Sequence, residues 1–308
     1  NTDGPFDSPQ NFNRMNMFAR FNNIIDRYNM FTLTSSLFNS KWDQSGQIPQ
    51  KSIDDGIINR WGSIDPTEGG NTQRINFIAK SVHQLHNSAM FCNQLYYTHY
   101  TFDLYSNFTF YLNNPVHGDQ IKQKEYRNLY GYTGKYTKSH SLKKNSTINY
   151  ELGGGFRYDD ITNSQLLNTY KRFTVLDTFN IGDITELNIN LYGKLNWTIN
   201  KWFINIGLRF DNFKFQYSDK KTAEYYTASK YQNTLSPKLN IVYNVSDKFQ
   251  IYAKFGKSFH SNDARVVVSN DSLSTLPYAL GSDLGINWQP FPRFIVNAAV
   301  WYMYLEEE

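Results

Sequence analysis

The stretch Leu187–Asp211, LNINLYGKLNWTINKWFINIGLRFD, limits the possible folds of this chain more than any other part of it. Leu187, Ile189, Leu191, Leu195 and Trp197 fall on one side of an extended segment; Asn188, Asn190, Tyr192, Lys194 and Asn196 fall on the other. A period of two is what a pleated strand imposes. After a tight turn at Thr198–Lys201 the pattern resumes, with Trp202, Ile204, Ile206, Leu208 and Phe210 opposite Phe203, Asn205, Gly207, Arg209 and Asp211. Each strand has about ten residues, enough to span a bilayer when tilted by about 45°. In a soluble sandwich the apolar side is a core; in a membrane barrel it meets lipid.

The rest of the C-terminal half favours lipid. Leu235–Val245 and Phe249–Ser258 alternate in the same way about a short turn at Ser246–Lys248, and Pro277–Trp288 turns at Gln289–Pro292 into Phe294–Leu305. Between these hairpins lie longer polar stretches, near Phe213–Thr234 and Phe259–Thr275. Short turns at one end and long loops at the other are the pattern of an outer-membrane barrel. Aromatic residues bracket each short turn: Trp197 and Trp202, Tyr243 and Phe249, Trp288 with Phe291 and Phe294. At that level they would form an interfacial girdle. The expected fold is all-β, a transmembrane antiparallel barrel with about twelve strands in this chain.

Upstream the pattern is less regular. Phe12–Phe21, Asp26–Phe38 and Thr72–Gln84 read as strands, and Ser40–Asn71 as a long loop rich in turn residues. Ser88–Leu112 reads as one unusually long extended run, Ile121–Tyr136 and Ser146–Tyr158 as further strands, and Gly153-Gly154-Gly155 as a bend or bulge. Ile161–Thr178 fits a strand or a short helix.

Composition excludes several classes. A net charge of +4 over 308 residues lacks the strong basic bias of a nucleic-acid binder, so no nucleic-acid partner is expected. The 23 Tyr and 23 Phe suit strands better than helices. Cys92 is the only cysteine, which rules out an intrachain disulfide or a cysteine metal cluster and leaves it as a small buried or lipid-facing hydrophobe. No run of about 18 apolar residues exists to form a transmembrane helix. A mean hydropathy of −0.59 is compatible with a barrel, whose polar lumen and loops dilute its apolar positions. With no initiator Met, no apolar leader, and a last residue inside a strand pattern, the chain is expected to be a piece of a longer protein.

Motifs for chemistry are sparse. Asp65-Pro66-Thr67-Glu68-Gly69-Gly70 lacks the ligand spacing of a calcium loop and the Lys of a phosphate loop. His260-Ser261-Asn262-Asp263-Ala264-Arg265 holds the atoms of a hydrolytic triad, but near-adjacent loop residues do not converge as a triad requires. Its more natural roles are ordering the loop or binding an anionic chelate, with Arg265 as the charge partner. His83 and His86 could meet only on a helix, and no metal site or cofactor is expected. The Asn-x-Ser/Thr matches at Asn107, Asn145, Asn196, Asn244 and Asn270 fall partly inside strands and read as chance. The polar rows carry more promise: Lys194, Arg209, Asp211, Lys238, Lys254 and Asp283 would point into the lumen, to bond a plug in a filled barrel or to tune permeation in an open one.

Six segments, taken in order, resemble the barrel domain of TonB-dependent outer-membrane receptors: Trp42–Pro49, Gly62–Asn76, Asp103–Arg127, Gly207–Tyr217, Tyr252–Arg265 and Leu276–Glu306. The resemblance implies a barrel of about 22 strands of which residues 1–308 form part, with a plug that this chain lacks. It also implies import of a scarce ligand, a ferric siderophore or similar chelate or cobalamin, driven by TonB acting through the plug in the outer membrane of a Gram-negative bacterium. Segments of the glycan-importing branch are missing, which favours a metal chelate. Loop positions expected to face the ligand are Trp42, Asp43, Gln47, Asp65, Glu68, Arg74, His260, Asn262, Asp263 and Arg265. The competing readings are a passive porin and, more remotely, an outer-membrane hydrolase.

Overall fold

The computed structural model describes residues 3–85, 88–143, 145–221, 224–269 and 274–306. Twelve strands follow one another: β1 Asn13–Ile24, β2 Asn29–Asp43, β3 Gly69–Gln84, β4 Ala89–Ser106, β5 Ile121–Lys143, β6 Ser146–Tyr170, β7 Thr174–Ile199, β8 Trp202–Asp219, β9 Tyr226–Ser246, β10 Phe249–Phe259, β11 Tyr278–Phe291 and β12 Phe294–Leu305. Two short helices lie in connections, α1 at Gln50–Asp54 and α2 at Ala264–Ser269. Every strand pairs antiparallel with its sequence neighbour, giving one sheet ordered β1 to β12, the wall of a partial barrel.

The ladder sorts side chains onto two faces. Phe21, Leu33, Ala79, Leu95, Tyr132, Phe156 and Ile189 are successive register partners across seven strands and form one outward apolar row. The neighbouring row is polar: Asn22, Thr32, Lys80, Gln94, Thr133, Gly155, Asn190 and Asp211. Leu191 and Leu208 of the outward face are 66% and 49% exposed, as befits a surface that meets acyl chains. Aromatic pairs edge this band. Near the short turns Trp202 packs on Tyr243 at 4.5 Å and Phe91 on Tyr136 at 4.9 Å; at the other border Tyr97, Tyr130 and Tyr158 line up at 5.1 and 6.4 Å. This is the girdle that the sequence suggested around the short turns, joined by a second row of tyrosines.

Connections at one end cover only residues 25–28, 85–88, 144–145, 200–201, 247–248 and 292–293; at the other they cover 44–68, 107–120, 171–173, 220–225 and 260–277. The turn between β7 and β8 is tighter than Thr198–Lys201, because Ile199 pairs with Trp202 and Asn200 takes the left-handed conformation with φ +49°.

Several boundaries move. Residues 213–219 and 226–234 are strand, so the expected loop at Phe213–Thr234 shrinks to 220–225. Ile161–Thr178 forms no helix; it is the end of β6, a turn and the start of β7. The run at Ser88–Leu112 stops at Ser106, and Phe110 turns the chain with φ +56°. Gly153–Gly155 pairs in unbroken register with Thr133–Lys135; in the pairing of β6 with β7 the register shifts lie instead between Ile161 and Ser164, Leu166 and Leu167, and Asn168 and Thr169. Gly153 serves close approach: the Tyr192 ring occupies the space a Cβ would need. Cys92 is half-buried on the polar face, opposite Lys135, and does not face lipid. His83 bonds Asn29, while His86 and Asn270 lie outside the described residues.

β6 and β7 run to 25 and 26 residues, about 80 Å of extended chain, so their upper parts project beyond any bilayer even when tilted. The outward face is therefore expected to be lipid-intolerant of charge only within the band. Leu191→Arg should cost about 2–4 kcal/mol in vesicles, whereas Asn190→Arg on the other face should cost well under half of that. Urea unfolding of the vesicle-embedded protein measures both, and equal costs would contradict the assignment of faces.

Candidate functional site

At the long-loop end, Arg172 gathers three connections. In the turn between β6 and β7 it has φ +68°, and its side chain reaches back across the sheet. Nη2 donates to Asp43 Oδ1 (2.7 Å) and to the Glu68 carbonyl (2.6 Å), Nε donates to the Thr67 carbonyl, and the backbone N–H donates to Gln120 Oε1 (2.9 Å). Gln120, 1% exposed, also accepts from Thr169 Oγ1 (3.0 Å) and donates to Asp65 Oδ2 (3.0 Å) and Thr67 Oγ1 (2.7 Å). A fork of five N–H groups suits such a role, and Lys could not make these bonds together.

Asp65 and Glu68 are thereby tied into the loop. Asp65 Oδ2 accepts from Asn107 Nδ2 (3.0 Å), and Glu68 Oε2 from the Asn107 N–H (3.0 Å) and Gln44 Nε2 (3.3 Å). Glu68 is 2% exposed, and its Oε1 lies against the Cα of Gly46, whose φ of +69° and missing side chain allow that approach. Oε1 has no hydrogen-bond partner among the described residues, and neither do Asn107 Oδ1 and Ser106 Oγ. Burial pushes the Glu68 carboxyl above its ordinary range against the opposing bonds. Asp119 behaves oppositely. Burial alone would raise it, but the N–H groups of Asn113 and Asn114 and the hydroxyl of Thr109 hold it below the usual carboxylate range.

The remaining sequence candidates divide between strands and loops. Trp42, Asp43 and Arg74 are strand residues rather than loop residues, because β2 runs on to Asp43 and β3 begins at Gly69; Arg74 sits 4.9 Å over the Tyr100 ring on the polar face. Gln47 is exposed in the 44–68 connection. His260 and Asn262 bond each other (3.1 Å), and Asn262 also donates to the Ser274 carbonyl (2.7 Å). Asp263 caps α2, accepting from the Arg265 N–H (2.9 Å) and from its guanidinium (2.5–3.2 Å), which holds the acid below its usual range. Lys194, Arg209, Asp211, Lys238, Lys254 and Asp283 share one face by register: Lys194 and Lys238 both pair with Gly207, and Lys254 pairs with Asp283.

Sequence reading missed how the 260–277 connection is fixed. Ala264, Val267 and Leu276 pack on Ile161, Ile184, Phe213 and Phe215, forming a small core on the polar side of the sheet. Phe215 is fully buried and stacks on Phe213 at 5.5 Å. The signal was present. Beyond Asp211 the inward positions turn aromatic at Phe213, Phe215 and Tyr217, while the outward ones turn polar at Asn212, Lys214 and Gln216. Polarity inverts along one strand. A polar outward side read as loop is in fact a strand that has left the membrane.

The polar face also carries ion pairs in β5, β6 and β8 that the sequence candidates only partly covered. Arg157 and Asp159 pair at 2.7 Å, Arg127 reaches Asp159 at 3.5 Å, Lys135 reaches Glu151 at 3.4 Å, and Arg209 pairs with Asp211 at 2.7 Å.

Two outcomes follow from this geometry. Phe215→Ala is expected to remove about 3 kcal/mol of local packing and to open the 260–277 connection to limited proteolysis, with strand content unchanged by circular dichroism. For Glu68, a raised folded pKa means that its contribution to stability is fully present below its unfolded pKa and is lost as pH rises through the folded one. Glu68→Gln should therefore raise the thermal midpoint at pH 7 and leave it unchanged near pH 4. A drop at pH 7 would show that the ionised form is the stabilising one.

The profile described as TonB dependent receptor-like, beta-barrel matches residues 8–306. No match is found among curated protein sequences. Among solved structures, the fold is similar to the unliganded ferric citrate transporter FecA (TM-score 0.80, 14% identity, 96% of this chain and 43% of that one). It is also similar to the siderophore receptor PiuA from Acinetobacter baumannii (0.75, 14%, 98% and 51%) and to the closed form of the ferric-catecholate import receptor Fiu from E. coli K12 (0.73, 12%, 98% and 53%). The chain spans about half the length of these structures. With a match running almost end to end over twelve meandering strands, this chain belongs to the TonB-dependent receptor-like β-barrel family.

Proposed function

We propose that this chain forms part of the barrel of an outer-membrane receptor of a Gram-negative bacterium. The receptor binds a scarce ligand outside the cell, a ferric siderophore or similar metal chelate or cobalamin, and imports it with energy relayed by TonB. The observation that carries this reading is the family match over residues 8–306. The fold's similarity to a ferric citrate transporter, a siderophore receptor and a hemophore receptor supports it.

In this reading the polar face is the barrel interior. Lys194, Arg209, Asp211, Lys238, Lys254 and Asp283 contact a plug contributed by another part of the protein, through which TonB acts. Gln47, His260 and Asn262, together with Trp42 and Asp43 at the end of β2 and Arg74 further inside β3, stand on the side from which ligand arrives. Asp65, Glu68, Asp263 and Arg265 serve the ligand indirectly, by fixing loops whose polar atoms they engage. The work is binding and transport, and no step of bond-making is assigned.

Energy dependence tests it. Cells expressing the full receptor should take up an iron-55-labelled chelate only when TonB and the proton-motive force are intact, while surface binding persists without them. Equal uptake in energised and de-energised cells would replace the receptor with a passive porin.

A further inference from the structure

Above the outward apolar band, Glu186 stands on the inward face of β7 beside the seat of α2. Its register partners are Asp159 of β6 on one side and Phe215 of β8 on the other, and Ile184 lies two residues along the same face. Ile184 and Phe215 both pack on Ala264 and Val267 of α2, so the carboxyl borders the small core that holds the helix to the wall.

The charges around it do not balance. Arg157 and Arg127 both reach Asp159, at 2.7 and 3.5 Å, and Arg127 also reaches Glu125 at 3.3 Å. Arg265 and Asp263 close on each other at 2.5 Å next to the helix start. Three arginines thus face four carboxylates, and Glu186 is the acid without a hydrogen bond or ion pair among the described residues. The other titratable groups here are accounted for. Lys230 of β9, opposite Phe215, has an interaction of its own, His260 bonds Asn262 at 3.1 Å, and burial pushes the Tyr217 phenol up, so that it stays neutral.

A charged Glu186 is therefore badly placed while α2 is seated. Burial pushes its carboxyl up and the adjoining Asp159 adds to this; Arg157 and Arg127 oppose both, and Asp263, which arrives with the helix, adds to the rise again. When the helix lifts, water returns to the carboxyl and Asp263 departs. The seated state thus favours the protonated acid more than the lifted state does. By linkage, seating is at full strength below the lifted-state pKa and weakens as pH rises through the seated one.

We propose that α2 is a pH-sensitive latch, held against β7 and β8 while Glu186 is protonated and loosened from Phe213 and Phe215 when Glu186 ionises. Every part of it belongs to this chain, and it stands or falls independently of the ligand and of the energy source. In acid the helix covers this part of the wall; at neutral and alkaline pH its apolar seat opens.

The test uses the full receptor in detergent, with Val267→Cys in a Cys92→Ser background and dithiodipyridine as the thiol reagent. Val267 is 1% exposed, so a thiol there reacts only when the helix lifts. Receptors with Glu186 and with Glu186→Gln are compared at the same pH, which cancels the pH dependence of the thiol itself. At about pH 8 Glu186→Gln should label about fivefold more slowly, and at about pH 5 the two rates should agree. Phe215→Ala should label fast at both, giving the rate of the lifted helix. His260→Gln, made in both backgrounds, should leave the fivefold ratio unchanged. Equal rates at about pH 8, or faster labelling of Glu186→Gln, overturn the latch. The receptor with Glu186 gives a second reading that needs no change at that position: corrected for the reactivity of free cysteine, its labelling should rise with pH, and a flat profile also overturns the latch.

Discussion

Backbone hydrogen bonding governs this molecule. In hydrocarbon an unpaired N–H or C=O costs several kcal/mol, so strands can cross only as an uninterrupted ladder. The meander from β1 to β12 meets that demand by pairing each strand with its sequence neighbour, and the remaining features are placed on it. Register then fixes which side chains share a row, and a slip of one residue would exchange the Phe156–Ile189 row for the Arg157–Asn188 row.

The outward apolar band is only part of each long strand. Above it the same ladder continues in water, where the outward face turns polar and the inward face collects apolar residues. Ile161, Ile184, Phe213 and Phe215 make a compact core there and seat α2 upon it. One sheet thus works under two solvents in succession, with its polarity reversed at the boundary. The tyrosines Tyr97, Tyr130 and Tyr158 stand close to that reversal, where an amphipathic ring is favoured.

Much of this was legible in the chain itself. The strands of the Leu187–Asp211 hairpin and the short turns fall close to where alternation placed them, with the turns after β7 and β11 tighter than Thr198–Lys201 and Gln289–Pro292. Reading failed where the solvent changes. Phe213–Thr234 looked like a loop since its outward residues are polar, and Gly153–Gly155 looked like a bulge since local propensity cannot show that Tyr192 needs the space. Arg172 was invisible for a different reason. It lies in a turn more than a hundred residues from Thr67 and Glu68, and nothing in the local sequence announces a side chain that bonds their carbonyls.

Arg172 has a consequence for recognition. Because one guanidinium and Gln120 bond Asp43, Asp65, Thr67 and Glu68, the ends of the 44–68 and 107–120 connections and the turn at 171–173 form one hydrogen-bonded body. Their conformational entropy is surrendered during folding, before any visitor arrives. A partner that lands on this rim gains affinity without ordering it, and association there is closer to lock-and-key than to closure of a jaw.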